Sequence, residues 1–198
     1  MAGRSSPSVY ISYRREDVGL MADLLRRRLV ARFGGDRVHV DADFIERGVD
    51  FHTAIESGVA GSSAVIVLIG PEWASAAEGT GRRRLDYPRD GVASEIRTAF
   101  RLGIPVIPVL VGGARMTAPD QLPPDLRSLA DLNAACLRDG SLLESDLESL
   151  VEAIHRASGP STPPSAPPRA WPTGASRTAF ISYPVSYTHL TLPTTPYV

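Results

Sequence analysis

The sequence predicts an α/β protein with a flavodoxin-like fold, in which a doubly wound, five-stranded parallel sheet carries helices on both faces. Two observations predict it. Short apolar stretches alternate along the chain with longer amphipathic stretches, which is typical of strands alternating with helices. Segment 64–69 is apolar at every position, as a parallel strand covered on both faces requires. The alternation implies right-handed crossovers, and the flavodoxin-type strand order 2-1-3-4-5 fits five such units.

Five short stretches are the predicted strands. Four of them lie at 9–13, 38–41, 64–69 and 106–111. Residues 134–137 could form the fifth, short strand. Pro108 lies inside the fourth strand and has no amide hydrogen to donate. Its presence favours a bulge or an edge position for that strand.

Helices are predicted where apolar residues recur at helical spacing, at 17–33, 51–59, 91–102 and after Ser141. Ser141 with Glu144 matches a capping box. Three aspartates are predicted N-caps of the other helices. The three are Asp17, Asp50 and Asp90. Glycines 34, 35 and 103 are expected to end the first and third helices.

The chain divides by composition into one main domain and an appendage. Its 198 residues, 43% of them hydrophobic, suffice for an ordinary core in residues 1–158. A Pro-, Ser- and Gly-rich linker follows at 159–176. Residues 179–183 then repeat residues 9–13 in chemical type, so 177–183 are expected to open a second, truncated domain of the same kind. Residues 184–198 resemble translated sequencing-adapter read-through and are expected to be non-native.

Charge and residue usage exclude several functional classes. The net charge of -1 offers no general attraction for nucleic acid or an anionic membrane. All 21 basic residues are Arg, which excludes P-loop and Schiff-base chemistry. Histidines 39, 52, 155 and 189 lack metal-ligand spacing, so no metal site is predicted. The single Cys136 and the short apolar runs predict a soluble cytoplasmic protein without a membrane span.

The predicted fold places a site where the first and third strands end. Ligands of doubly wound sheets lie beyond the carboxyl ends of the strands at this switch point. The loop after the second strand and the start of the helix after Asp90 should border the same edge. On that helix, Glu95 lies between the apolar stripe and the polar face, where it can be partly shielded from water. The residues expected at the edge are Ser12, Tyr13, Arg14, Arg15, Gly70, Pro71 and Trp73.

Four segments in this order resemble the successive boxes of a bacterial Toll/interleukin-1 receptor (TIR) domain. They are YISYRR at 10–15, VDADFIERG at 40–48, SEI at 94–96 and PVIPVL at 105–110. The resemblance covers about residues 8–157. It implies the same flavodoxin-like fold that the alternation of elements predicts.

The resemblance implies one of two functions. Many members of the family cleave NAD+ to nicotinamide and ADP-ribose or its cyclised form, often in anti-phage defence. Others assemble with further TIR domains as signalling scaffolds. In the enzymes a glutamate of the third helix is essential, and Glu95 matches it by position. NAD+ would be the substrate, with no separate cofactor.

Several residues match roles around such a substrate. Arg14 and Arg15 suit the pyrophosphate, although a solvated strand end is the alternative. Trp73 or Tyr87 could stack on a base, but Trp73 could equally anchor its loop. Residues that match the segment bordering the substrate or a neighbouring protomer are Asp41, Ile45 and Gly48; Asp41 could instead cap a turn.

One position departs from the family pattern. Family enzymes usually carry an aromatic residue four positions before the glutamate, and this chain has Gly91 there. A phosphoacceptor receiver domain shares the fold but requires an acidic pair after the first strand and a Lys after the fifth. This chain has Arg14 and Arg15 after the first strand and no Lys, which excludes the receiver class.

Overall fold

The structure, a computed structural model, describes residues 6–40, 51–77, 79 and 81–159. All of them belong to one compact unit, Met1–Ser161. The strands are β1 Val9–Ser12, β2 Val38–Val40, β3 Ala64–Ile69, β4 Val106–Val111 and β5 Ala135–Leu137. The helices are α1 Arg15–Phe33, α2 Phe51–Ala60, α3 Gly91–Leu102 and α4 Leu143–Ala157. The expectations for the linker, the repeat and the tail lie outside the described residues.

The strands form one parallel sheet in the order β2-β1-β3-β4-β5, which confirms the predicted topology. In the register of the sheet, Val9 lies beside both Val38 and Ala64. Because β1 and β3 are neighbours, their carboxyl ends meet at the switch point of the fold.

Alternate residues of the strands face two separate cores, since successive side chains of a strand point to opposite sides. Val9 and Ile11 belong to a core that includes residues of α1 and α4. Tyr10 belongs to the other core, with residues of α2, α3 and β3. All six residues of β3 are buried, as its unbroken apolar sequence predicts.

Pro108 lies at a local edge of the sheet, which agrees with one of the two expectations, and its pairing with β3 shows no bulge. β4 lies between β3 and β5, and Pro108 pairs in continuous register with Val67. The pairing with β5 starts only at Val109, so β4 has no neighbour on that side at Pro108. A residue without an amide hydrogen can therefore be accommodated in an inner strand.

One of the predicted caps is confirmed and two are wrong. The carboxylate of Asp90 accepts a hydrogen bond from the Ala93 amide at 2.9 Å, and α3 ends at Gly103 in the left-handed conformation. α1 begins before Asp17, whose carboxylate instead accepts a hydrogen bond from the Glu72 amide at 3.2 Å. Ser141 lies in a 3₁₀ turn ahead of α4, and Glu144 pairs with Arg28. The cap predicted at Asp50 lies outside the described residues.

Across the part of the chain that the structure describes, the helices are too short or too polar for any of them to cross a membrane.

Candidate functional site at the switch point

A buried ion pair joins the end of β1 to the start of α3. Arg14 Nη1 lies 2.9 Å from Asp90 Oδ2, and Arg14 Nη2 donates to Asp90 Oδ1 at 3.1 Å. Arg14 Nε donates to the carbonyl oxygen of Trp73 at 3.0 Å. The side chains of Arg14 and Asp90 are only 1% and 2% exposed. The guanidinium therefore fixes three segments, namely the end of β1, the loop after β3 and the start of α3.

This geometry corrects the expectation that both arginines are open to a phosphate. All three nitrogens of the Arg14 guanidinium have protein partners. Arg15 is exposed and has no ion-pair partner among the described residues. A phosphate at this edge would therefore meet Arg15 rather than Arg14.

Gly70, directly after β3, allows the chain to pass close to the start of α1. A Cβ atom at this position would lie 2.4 Å from both Asp17 Oδ2 and Val18 Cγ1. No carbon atom can approach that closely without displacing its neighbours. Gly70 thus permits β1, β3 and α1 to meet at the switch point.

A cavity of about 190 Å³ opens beside this junction. Arg84, from the loop before α3, also lies there, 3.4 Å from a Glu16 oxygen and 3.6 Å from Asp90 Oδ2. Three arginines face the two carboxylates of Glu16 and Asp90, which leaves an excess of one positive charge beside the cavity and suits an anion. The lining residues are Tyr13, Arg14, Arg15, Glu16, Arg84, Gly91 and Val92.

Glu95 lies one helical turn beyond Gly91 and is completely buried, with 0% of the residue exposed. Tyr10 Oη donates a hydrogen bond to Glu95 Oε1 at 2.9 Å. This agrees with the expectation that the carboxylate points inward from the border of the helix faces. The burial of Glu95 is greater than the partial shielding that the sequence predicts, because the surrounding side chains cover Glu95 entirely.

Two other predicted site residues are more deeply buried than expected. Ser12 and Trp73 are each 0% exposed, and neither lines the cavity. The indole of Trp73 packs in the core of α2 and α3, which supports the interpretation of Trp73 as a loop anchor and corrects its role as a stacking platform. Neither Ser12 Oγ nor Trp73 Nε1 has a hydrogen-bond partner among the described residues.

The predicted residues are therefore only partly brought together. Tyr13 and Arg15 line the cavity with Arg14, while Asp41, Ile45 and Gly48 lie outside the described residues. Sequence reasoning missed the role of Tyr10 and that of the Asp90 side chain as an ion-pair partner. The alternation of β1 could have found Tyr10, since it faces the same side of the sheet as Ser12. The partner of Arg14 is 76 residues away and left no local signal.

The structure carries no group of three or more potential metal ligands within the residues that it describes.

The fold and the site define an α/β protein of the flavodoxin-like class with a positively lined cavity at the switch point. The family model of the TIR domain matches residues 9–151, more than half of the chain. The protein therefore belongs to the TIR domain family.

Solved structures of low sequence identity are similar to this chain, and the first of them shares its fold. One is the TIR domain of the activated Roq1 resistosome that recognises the pathogen effector XopQ, at 15% identity and a TM-score of 0.55, covering 75% of this chain and 99% of that one. Another is the TIR domain of the Toll-related receptor TRR-2 from Hydra magnipapillata, at 17% identity and a TM-score of 0.49, covering 75% and 98%. A prokaryotic SEFIR domain matches at 18% identity and a TM-score of 0.48, covering 83% and 100%.

Proposed function

We propose that this TIR domain is an NAD+ glycohydrolase that acts in defence signalling, with Glu95 as its catalytic residue. One observation carries the proposal. Glu95 is a carboxylate held inside the protein on α3, bonded to Tyr10 of β1 and one turn from a positively lined cavity at the switch point. An acidic side chain is rarely buried so completely without a role, because burial disfavours its charged form.

The chemistry needs only one such group. The bond between ribose C1′ and the nicotinamide nitrogen breaks, and both electrons leave with nicotinamide, which departs as a neutral molecule. Positive charge then develops on the ribose, where a fixed carboxylate stabilises it. Water adds to C1′ and releases a proton, giving ADP-ribose, or a base nitrogen of the same molecule adds and gives the cyclised form.

The cavity would receive a part of this substrate. Its volume of about 190 Å³ is below the roughly 300–1,000 Å³ that is usual for ligand pockets. Arg15, the exposed cation of its lining, would contact the pyrophosphate. Because Glu95 is fully buried, the reacting ribose can contact it only after the side chains that cover it move apart.

The test is nicotinamide release from NAD+ by the purified full chain, at high protein concentration and with a crowding agent. We expect Glu95→Gln to lower the rate by about a hundred- to a thousand-fold, the usual loss for one electrostatic group. Glu56→Gln is the matched control, since Glu56 is an exposed glutamate of α2 that pairs with Arg101 at 2.9 Å. Equal turnover by the wild type and Glu95→Gln would contradict the proposal.

A second function, that of a non-catalytic scaffold assembling with other TIR domains, is favoured by one observation. Gly91 replaces the aromatic residue that the family resemblance implies, and Trp73 is fully buried and does not line the cavity. A scaffold would form concentration-dependent oligomers in sedimentation velocity while releasing no nicotinamide. A strictly monomeric protein at high concentration would exclude self-assembly.

A further inference from the structure

We propose that Tyr10 is a positioning residue that orients the Glu95 carboxylate and keeps it ionised. The inference rests on the proposed function for its catalytic consequence. The coupling between the phenol and the carboxylate is inferred independently of that function, from the hydrogen bond between Tyr10 Oη and Glu95 Oε1.

The bond joins two elements that are far apart in sequence. Tyr10 is 2% exposed and lies in β1, and Glu95 is 85 residues away in α3. The strand fixes the phenol, because Tyr10 sits in register with Val65 of β3 and His39 of β2. A hydroxyl anchored in the sheet therefore sets the direction in which the carboxylate points.

A donor at this place also acts on the charge of Glu95. Burial disfavours the ionised form of a carboxylate, and a hydrogen bond donated to that form opposes the effect. A charged acceptor makes such a bond stronger than one between neutral groups. The proposed mechanism needs the ionised form, so the phenol would support the reaction without touching the substrate.

Several other ionisable groups on the side of the sheet that Tyr10 faces form ion pairs with one another. Asp90 pairs with Arg14, Glu56 of α2 pairs with Arg101, and Arg97 pairs with Asp125. Among the described residues, β3 and β4 contribute no ionisable side chain to this face. Among the side chains that the structure describes, the remaining ionisable groups on elements packed against β1 and α3 are His39, Arg127 and Asp131.

The experiment is a pH titration of the full chain labelled with ¹³C at the glutamate carboxyl carbon, in the wild type and in Tyr10→Phe. The resonance that disappears in Glu95→Gln identifies Glu95. We expect its titration midpoint to rise by about one pH unit or more in Tyr10→Phe, which corresponds to losing a hydrogen bond to a charged group. Ser62→Ala is the control, because it removes a buried hydroxyl that donates to the Gly58 carbonyl at 3.1 Å.

The same variants separate this inference from the proposed function. If the wild type releases nicotinamide, Tyr10→Phe should lower kcat by about tenfold at neutral pH and move the acidic limb of the rate profile to higher pH. If the wild type releases none, the proposed function fails and the titration alone decides the coupling. A Glu95 midpoint unchanged by Tyr10→Phe overturns the inference in either case.

A second measurement applies if Tyr10→Phe does not fold. Biosynthetic replacement of tyrosine by 3-fluorotyrosine makes the phenol a stronger donor and keeps its shape. The Glu95 midpoint should then fall below that of the unlabelled protein. An unchanged midpoint would again overturn the coupling.

Discussion

Two Arg–Asp pairs join strand ends to helices in this protein, and they differ in their exposure to water. Arg14 and Asp90 are both buried at the end of β1. Arg138 and Asp146 link the end of β5 to α4, with Arg138 Nη2 at 2.6 Å from Asp146 Oδ1; here the aspartate is buried, but the arginine is 58% exposed. The pairs use the same chemistry, so their environment should decide what each contributes. A buried arginine that loses its partner stays unpaired inside the protein, whereas an exposed arginine that loses its partner is solvated by water.

The largest expected effect is that of breaking the buried pair. Asp90→Ser keeps a residue that can cap α3 but leaves the Arg14 charge unpaired inside the protein. We expect the free energy of unfolding to fall by about 3–5 kcal/mol, measured by urea denaturation. Asp146→Ser is the matched control and should shift the midpoint much less. Equal shifts in the two variants would show that burial does not distinguish the pairs.

A smaller effect is expected when both charges of the buried pair are removed. Arg14→Met in the background of Asp90→Ser replaces the unpaired charge with an apolar side chain of similar length. The double variant should be more stable than Asp90→Ser alone, because the cost of a buried, unpaired charge is gone. A double-mutant cycle on the urea midpoints measures this coupling. Additive losses from the two substitutions would contradict the role assigned to the ion pair.

The smallest effect concerns pH and the Arg138–Asp146 pair, in which only the arginine is exposed. Hydrogen bonds from Arg138 lower the pKa of Asp146 to about 2. Because this pKa is lower in the folded protein than in the unfolded chain, where it is about 4, the contribution to stability is present at neutral pH and is lost as the pH falls from about 4 towards 2. The difference in melting temperature between the wild type and Asp146→Asn should shrink over this window. A difference that stays constant down to pH 2 would contradict it.

The parts of the fold that follow from local pattern were predictable. The unbroken apolar run of β3, the Asp90 cap and the Gly103 stop each depend on neighbouring residues, and the structure has all three. Asp17 failed as a cap because helix starts depend on which backbone groups the tertiary structure leaves unpaired. Pro108 indicated an edge correctly, but local pattern could not show which side is open, because that depends on where β5 begins to pair, 27 residues further along the chain.

The candidate site was predictable in its place and only partly in its chemistry. Strand alternation and the family resemblance located Glu95 and the Arg14–Arg15 pair at the correct end of the sheet. Sequence could not show that Arg14 is bound by Asp90, because that contact depends on how β1 and α3 pack. Nor could it show that Trp73 turns into the core, since an aromatic residue after a strand suits a core and a ligand equally well.

The complete burial of β3 has a consequence for how the sheet opens. Its six residues lie between β1 and β4, whereas β5 contributes only three residues at one edge. Amide protons of β3 should exchange with deuterated water only through global unfolding, while those of β5 should exchange through local opening. The strand that ends beside the proposed site would then be the last to lose its protection.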